Sequence, residues 1–254
     1  MIAIKSKREI ELMRKTCALA SETLQFIEPY IKPGISTEKL NELCHGYIVS
    51  HGAVPSPLNY HGYPKSICTS LNEVICHGIP SSKDVLKNGD IINVDVTTFL
   101  EGFHGDTSAT FFVGEVDLKL KKLVEVTYEC MLRGIKVIKP GKKTGDIGHT
   151  IETYALEHGY SVVEEYCGHG IGRSFHEDPQ ILHYGEPNKG TLLKEGMTFT
   201  VEPMINLGER YCEVLKDNWT VVTKDRLPSA QFEHTVLVTS NGYEVLTLRK
   251  SEII

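Results

Sequence analysis

The sequence predicts an α+β fold made of two pseudo-symmetric α/β halves packed into one domain, and two observations carry that expectation. The first is an internal repeat. Ile31-Lys32-Pro33-Gly34, then Thr37, then His51-Gly52 recur as Ile138-Lys139-Pro140-Gly141, Thr144 and His158-Gly159, an offset of 107 residues. Leu86-Lys87-x-Gly89 with Val94-Asp95 recurs at the same offset as Leu193-Lys194-x-Gly196 with Val201-Glu202. Helix-end signals alone can coincide by chance, but a constant offset that reaches two acidic residues marks a duplicated unit. His-Gly-Ile also occurs once in each half, at His77 and His169, at a different offset. The second observation is periodicity: helical spacing alternates with short runs of alternating polarity. The halves divide at roughly residues 1–115 and 116–254 of a single domain spanning 1–254.

The elements follow in order. Ser6-x-x-Glu9 is a capping-box signature, and Ile10, Met13, Cys17, Ala20 and Leu24 continue it at helical spacing. Gly34 breaks the chain, and a second helix is expected from about Thr37 to His51, ending at Gly52. Strands are expected from Ile91 to about Leu100 and from Asp106 to Val113, with Glu101–Gly105 as the turn between them. Two further helices are expected over about Asp117–Ile138 and Thr144–His158, and the remainder reads mostly as strand and loop.

The chain's 254 residues, 41% of them hydrophobic, are enough to bury a sizeable core. A net charge of −6 and a pI near 6.0 leave no basic footprint for nucleic acid. Lys5, Lys7 and Arg8 are followed at once by Glu9 and Glu11, which reads as a solvated helix face. No apolar run approaches the ~18 residues of a membrane span, and the charged stretch Met1–Arg14 is no secretory signal. Seven cysteines without a C-x-x-C pair argue against a disulfide framework and a Cys-rich zinc site. Cys44 and Cys130 read as small core residues on helices. A cytoplasmic monomer with no nucleic-acid or membrane partner is the expectation.

Strand parity points to chemistry. Side chains alternate faces along a strand, so Asn93, Asp95 and Thr97 share one face, as do Asp106, Ser108 and Thr110. Thr198, Thr200 and Glu202 form a third such set, and Gln231, Glu233 and Thr235 a fourth. Val94, Val96, Phe111, Val113, Phe199 and Val201 are the apolar counterparts. A turn centred on Leu100–Glu101 would set Asp95 directly opposite Asp106. Like charges so placed repel, and burying them costs more unless they are paired, protonated or metal-bound. His169 joins them from Gly168-His169-Gly170-Ile171-Gly172, where flanking glycines let the backbone approach closely. Two Asp, two Glu and one His suit manganese, iron, cobalt or zinc. Four carboxylates exceed what one ion needs, and two ions about 3.5–4 Å apart fit better. His77 and His176 stand beside this set as candidates to contact a substrate amide or oxyanion. His45, His51, His149, His158 and His183 read as ordinary surface or satisfied histidines. Gly168-x-Gly170-x-Gly172 has the wrong spacing for a dinucleotide fingerprint, and no Gly-x-Ser-x-Gly elbow occurs.

These residues carry a resemblance. Asp95, Asp106, His169, Glu202 and Glu233 resemble the five-ligand dimetal set of the pita-bread metallopeptidases, and the likeness extends over nearly the whole chain. It is closest to the type I methionine aminopeptidases, through Asn59-Tyr60-His61-Gly62-Tyr63-Pro64-Lys65-Ser66, Asn72-Glu73-Val74-Ile75-Cys76-His77-Gly78-Ile79-Pro80, Gly168-His169-Gly170-Ile171-Gly172 and Met197-Thr198-Phe199-Thr200-Val201-Glu202-Pro203. The resemblance implies a pita-bread fold with a curved antiparallel sheet covered by helices. It implies two divalent metal ions (Co, Mn, Fe or Zn), with Asp106 and Glu233 bridging, Asp95 on one ion, and His169 and Glu202 on the other. It implies removal of the N-terminal methionine from nascent proteins when the second residue is small, by attack of a metal-held hydroxide on the first peptide bond. Glu202 would carry the proton, His176 would stabilise the oxyanion, and His77 would contact the scissile amide. Tyr60, Tyr63, Cys68, Phe175 and Trp219 would form the methionine pocket. N-terminal peptides of nascent proteins, and transiently the ribosome, would be the partners. One departure is visible: Pro57 and Leu58 stand where enteric members often carry a cysteine. Length leaves no room for the N-terminal domain of prolidase-like relatives. Two alternatives remain beside this reading, an X-Pro aminopeptidase and a non-catalytic binding module on the same scaffold.

Overall fold

Helix α1 (Lys7–Ile27) begins where the capping box expects it. The Ser6 hydroxyl accepts from the Glu9 N–H, and the Glu9 carboxylate accepts from the Ser6 N–H at 2.9 Å. A computed structural model describes residues 2–252 of the chain. Helices α2 (Thr37–Ser50), α3 (Leu118–Lys136) and α4 (Thr144–Glu157) fall within two residues of the expected ends. Asp117 caps α3 by accepting from the Lys119 N–H at 2.7 Å.

The offset of 107 recurs in the hydrogen bonding. Gly34 N–H donates to the Leu86 carbonyl at 2.8 Å, and Gly141 N–H to the Leu193 carbonyl at 3.1 Å. Leu86 and Leu193 return the bond to Ile35 and Lys142 at 2.9 and 2.8 Å. His51 and His158 each place Nδ1 2.8 Å from the carbonyl four residues earlier, at Tyr47 and Tyr154. Each helix therefore docks on its half through the same contacts.

Among the described residues the main sheet holds nine antiparallel strands: β1 (Val54–Pro55), β2 (Cys68–Leu71), β3 (Ile91–Leu100), β4 (Phe103–Phe112), β5 (Gly168–Gly170), β6 (Glu177–Ile181), β7 (Thr198–Val201), β8 (Glu233–Val238) and β9 (Tyr243–Val245). Their order is β1-β3-β4-β8-β7-β5-β6, with β2 also on β3 and β9 also on β8. The pairing of β4 with β8 joins the two halves into one sheet. One face of this sheet carries Val94, Val96, Phe199 and Val201. These pack with Leu24, Leu40, Ile48, Val126, Ile135 and Ile151 from the helices into the main core. The other face is left for polar residues.

Two expectations need correction. The turn between β3 and β4 is not Glu101–Gly105 and is not centred on Leu100–Glu101. It is the two residues Glu101 and Gly102, both at positive φ (50° and 86°), the conformation of a tight hairpin turn. Phe103 therefore already pairs with Leu100, and Asp106 sits opposite Thr97, with Asp95 opposite Ser108. The two aspartates are diagonal neighbours on one face and not a direct pair. Lys5 is also not part of a solvated face. It precedes α1 and is buried, with Nζ 2.7 Å from the Glu177 carboxylate, while Lys7 and Arg8 are exposed. No described helix is long and apolar enough to cross a membrane. All seven cysteines are free thiols, with Cys44 and Cys130 buried on their helices.

Candidate metal centre

The polar face of the sheet opens into a cavity of about 650 Å³. Asp95 on β3, Asp106 on β4, His169 on β5, Glu202 just after β7 and Glu233 at the start of β8 all line it. Asp106, His169 and Glu233 offer ligand atoms within 4.8 Å of one another. His169 Nε2 lies 3.7 Å from Asp106 Oδ2 and 3.7 Å from Glu202 Oε1. Among the described residues lining the cavity there is no lysine or arginine.

The electrostatics follow from that composition. Burial raises the pKa of Asp95, Asp106, Glu202 and Glu233. Repulsion from neighbouring carboxylates adds to the rise at Asp106, Glu202 and Glu233. Asp95 Oδ1 is buried without any hydrogen-bond partner. An unpartnered buried carboxylate oxygen beside three other acids is costly. A divalent cation offsets that cost, and oxygen donors with one imidazole are the ligand chemistry that such a cation takes. The residues present fit divalent metal.

Neighbours fix each donor. Thr97 Oγ1 donates to Asp106 Oδ1 at 2.7 Å, and Thr235 Oγ1 to the Asp106 carbonyl at 2.7 Å. Thr200 Oγ1 donates to Glu202 Oε1 at 2.6 Å and Gln231 Nε2 to Glu202 Oε2 at 3.2 Å. His169 Nδ1 lies 2.9 Å from the Gly170 carbonyl, which can only accept. The ring hydrogen is therefore on Nδ1, and Nε2 faces the acids with its lone pair free. A Cβ on Gly170 would collide with the Asp178 carbonyl oxygen, and one on Gly168 with that of Thr200. The flanking glycines thus let β5 come close to its neighbours.

His77 and His176 line the same cavity. Burial lowers the His77 pKa to about 4. Partial desolvation by its neighbours, aided by the nearby His169 ring, lowers that of His176 to about 3, although the residue is exposed. Both are neutral at pH 7. The His176 ring lies 4.2 Å from that of His169 and 4.3 Å from that of Phe175. Tyr60, Tyr63, Cys68, Phe175 and Trp219 also line the cavity. Tyr63 meets Trp219 edge to face at 5.1 Å, and Cys68 pairs with Asp95 across β2 and β3. Cys76 and Met204 add sulfur, and Pro57 stands at the wall.

Three residues escaped the sequence reading. His183 is fully buried and its Nε2 accepts the Glu202 N–H at 3.1 Å, as a core histidine can, but its place beside a candidate ligand was not expected. His104 Nδ1 lies 2.8 Å from Ser56 Oγ, and its ring stacks on Phe175 at 5.6 Å. Lys5 braces Glu177, whose Oε1 accepts from the Ser174 N–H at 3.1 Å, directly beside Phe175 and His176. No local signal marks His183 or Lys5. The place of His104 follows from the correct hairpin register, which sets it opposite Phe99.

Residues 11–240 match the model of metallopeptidase family M24. Over 254 residues the chain is 54% identical to a methionine aminopeptidase of Rickettsia prowazekii, covering 99% of this chain and 97% of that protein. It is 52% identical to one of Escherichia coli strain K12, covering 100% and 96%. The crystal structure of the Rickettsia enzyme superposes with a TM-score of 0.96 at 55% identity, over 98% of this chain and 100% of that one. A prolidase from Pyrococcus furiosus shares the fold at a TM-score of 0.77 and 24% identity, with 97% of this chain covering 66% of that one. The curved antiparallel sheet backed by helices is the pita-bread fold of these proteins.

Proposed function

The chain belongs to metallopeptidase family M24, and from that premise we propose that it removes the N-terminal methionine of newly made proteins when the second residue is small. The observation that carries the reading is a single cavity in which five metal-type donors adjoin a wall of aromatic rings and sulfur. A flexible thioether side chain suits such a wall.

Two divalent ions are the proposed cofactors, drawn from cobalt, manganese, iron and zinc. Asp106 and Glu233 would hold both, Asp95 one, and His169 and Glu202 the other. When bound, such ions polarise a carbonyl and lower the pKa of water towards neutrality. The chain's own groups do the rest. Glu202, with a pKa raised by burial, takes a proton from water and passes it to the leaving amine. His176, neutral, gives a hydrogen bond to the developing oxyanion. His77 contacts the scissile amide. Tyr60, Tyr63, Cys68, Phe175 and Trp219 hold the methionine side chain, and the free α-amine rests at the Asp95 end, which restricts cleavage to the first bond.

The catalytic unit is the whole of 1–254, built as halves 1–115 and 116–254. It works as a cytoplasmic monomer on N-terminal peptides of nascent proteins, with a transient association at the ribosome. The test is turnover of Met-Ala-Ser against its N-acetylated form and against X-Pro peptides. Cleavage of the free-amine methionine peptide alone is expected. Equal turnover of the acetylated peptide would sink the amine-anchoring argument, and preference for Pro at the second position would favour the X-Pro alternative.

A further inference from the structure

We propose that Tyr60 is a positioning residue that fixes the tautomer and tilt of His176, in addition to lining the methionine pocket; this rests on the methionine-removal reading above. The Tyr60 hydroxyl lies 2.8 Å from His176 Nδ1, a bond between residues 116 apart in sequence. Among the described residues the phenol makes no other hydrogen bond. A phenol has one hydrogen to give, and a neutral imidazole has one acceptor nitrogen. Donation to Nδ1 leaves the ring hydrogen on Nε2. The reverse polarity would leave Nε2 with no hydrogen to donate to an oxyanion.

The loop that carries Tyr60 has a tightly closed backbone. Asn59 and His61, on either side of Tyr60, both sit in the left-handed region at φ 67° and 48°. Asparagine enters this region readily, but a histidine there is uncommon and persists where surrounding structure holds it, and such strain concentrates at functional sites. Hydrogen bonds from Asn59 N–H to the Tyr63 carbonyl at 2.8 Å and from Tyr60 N–H to the Pro57 carbonyl at 3.0 Å close this loop. The Tyr60 ring rests 4.9 Å from that of Phe175, and His176 is packed between Phe175 and His169. Stacking on Phe175, with the His169 ring tilted at 50° on the other side, permits the His176 ring to turn over. Among the described residues only the phenol bonds one of its two nitrogens.

The test is a double-mutant cycle on Met-Ala-Ser turnover with Tyr60→Phe, His176→Gln and the pair, together with 15N chemical shifts of the His176 ring. Tyr60→Phe keeps the pocket wall and should lower kcat about tenfold, the worth of one hydrogen bond, with KM within about twofold. In the His176→Gln background the same change should do nothing further. The 15N shifts should show the Nε2–H form in the unmodified protein and a tautomer mixture in Tyr60→Phe. A rise in KM alone, additive losses, or unchanged 15N shifts would each overturn the proposal. Absence of Met-peptide cleavage by the unmodified protein, with the 15N signature intact, would instead overturn the assigned function.

Discussion

Glu233 and His234 are consecutive on β8, and their two sides bury carboxylates in opposite ways. On the His234 side, Glu252 is surrounded by partners. The Arg249 guanidinium pairs with it, the Arg249 N–H donates at 2.8 Å, the Tyr128 hydroxyl donates at 3.1 Å, and His234 Nε2 lies 3.4 Å away. Burial works to raise the Glu252 pKa, but His234 and Arg249 reverse that and hold it at about 2. On the Glu233 side, four carboxylates share a cavity with no lysine or arginine among its described lining residues, and burial drives all four pKa values up. Where the acid is structural, the chain supplies the positive charge itself. Where the acids line the candidate metal site, the cavity supplies no cation of its own among the described residues, and divalent ions would supply the charge.

The sharpest way to break this contrast is to remove an acid from the cavity side. Asp106→Ala or Glu233→Ala should cut Met-peptide turnover by far more than the ~10–100-fold that outer partners contribute. The metal-free variant should unfold at no lower temperature than the unmodified protein, because a repelling carboxylate has gone. Full activity in either variant would end the bridged-metal reading.

The second expectation is a pH dependence of opposite sign on the two sides. Carboxylates whose folded pKa is raised hold protons that the unfolded chain releases, so they lower stability as pH rises. In chelator, urea stability should fall from about pH 4, the unfolded range, to about 7–8, where Asp95 and Glu202 titrate in the fold. Added Mn should lift the upper end of that curve. Glu252 acts the other way: its contribution is present above its ordinary 4.5 and is lost as pH falls towards about 2. A flat profile in chelator would contradict the raised carboxylates.

Third, Glu252→Ala should cost ~3–5 kcal/mol in urea unfolding, since Arg249 and His234 are left buried without their acid. Metal bound per folded molecule should be unchanged. Smallest of all, Lys5→Met should cost ~1–3 kcal/mol and slow turnover several-fold by loosening the segment that Glu177 braces. No change in kcat would confine Lys5 to stability.

Much of this was legible because parity survives register errors. Moving the hairpin turn to Glu101–Gly102 shifted the partner of Asp95 by two residues, yet kept Asp95 and Asp106 on one face. The helices were legible because the capping box at Ser6 and the repeat from Gly34 to Gly141 are local signals. The turn itself was not, because nothing in Glu101 announces a positive φ. His183, His104 and Lys5 were not legible either. Their partners lie 19, 48 and 172 residues away, and only the assembled sheet brings them to Glu202, Ser56 and Glu177.

Calorimetric titration of metal-free protein with Mn, in two buffers of different ionisation enthalpy at pH 7, reads both the number of ions and the protons they displace. Two equivalents of metal with net proton release are expected, because raised carboxylates must give up protons to bind it. No binding, or binding with no proton released, would contradict the claim that these acids are gathered to hold divalent ions.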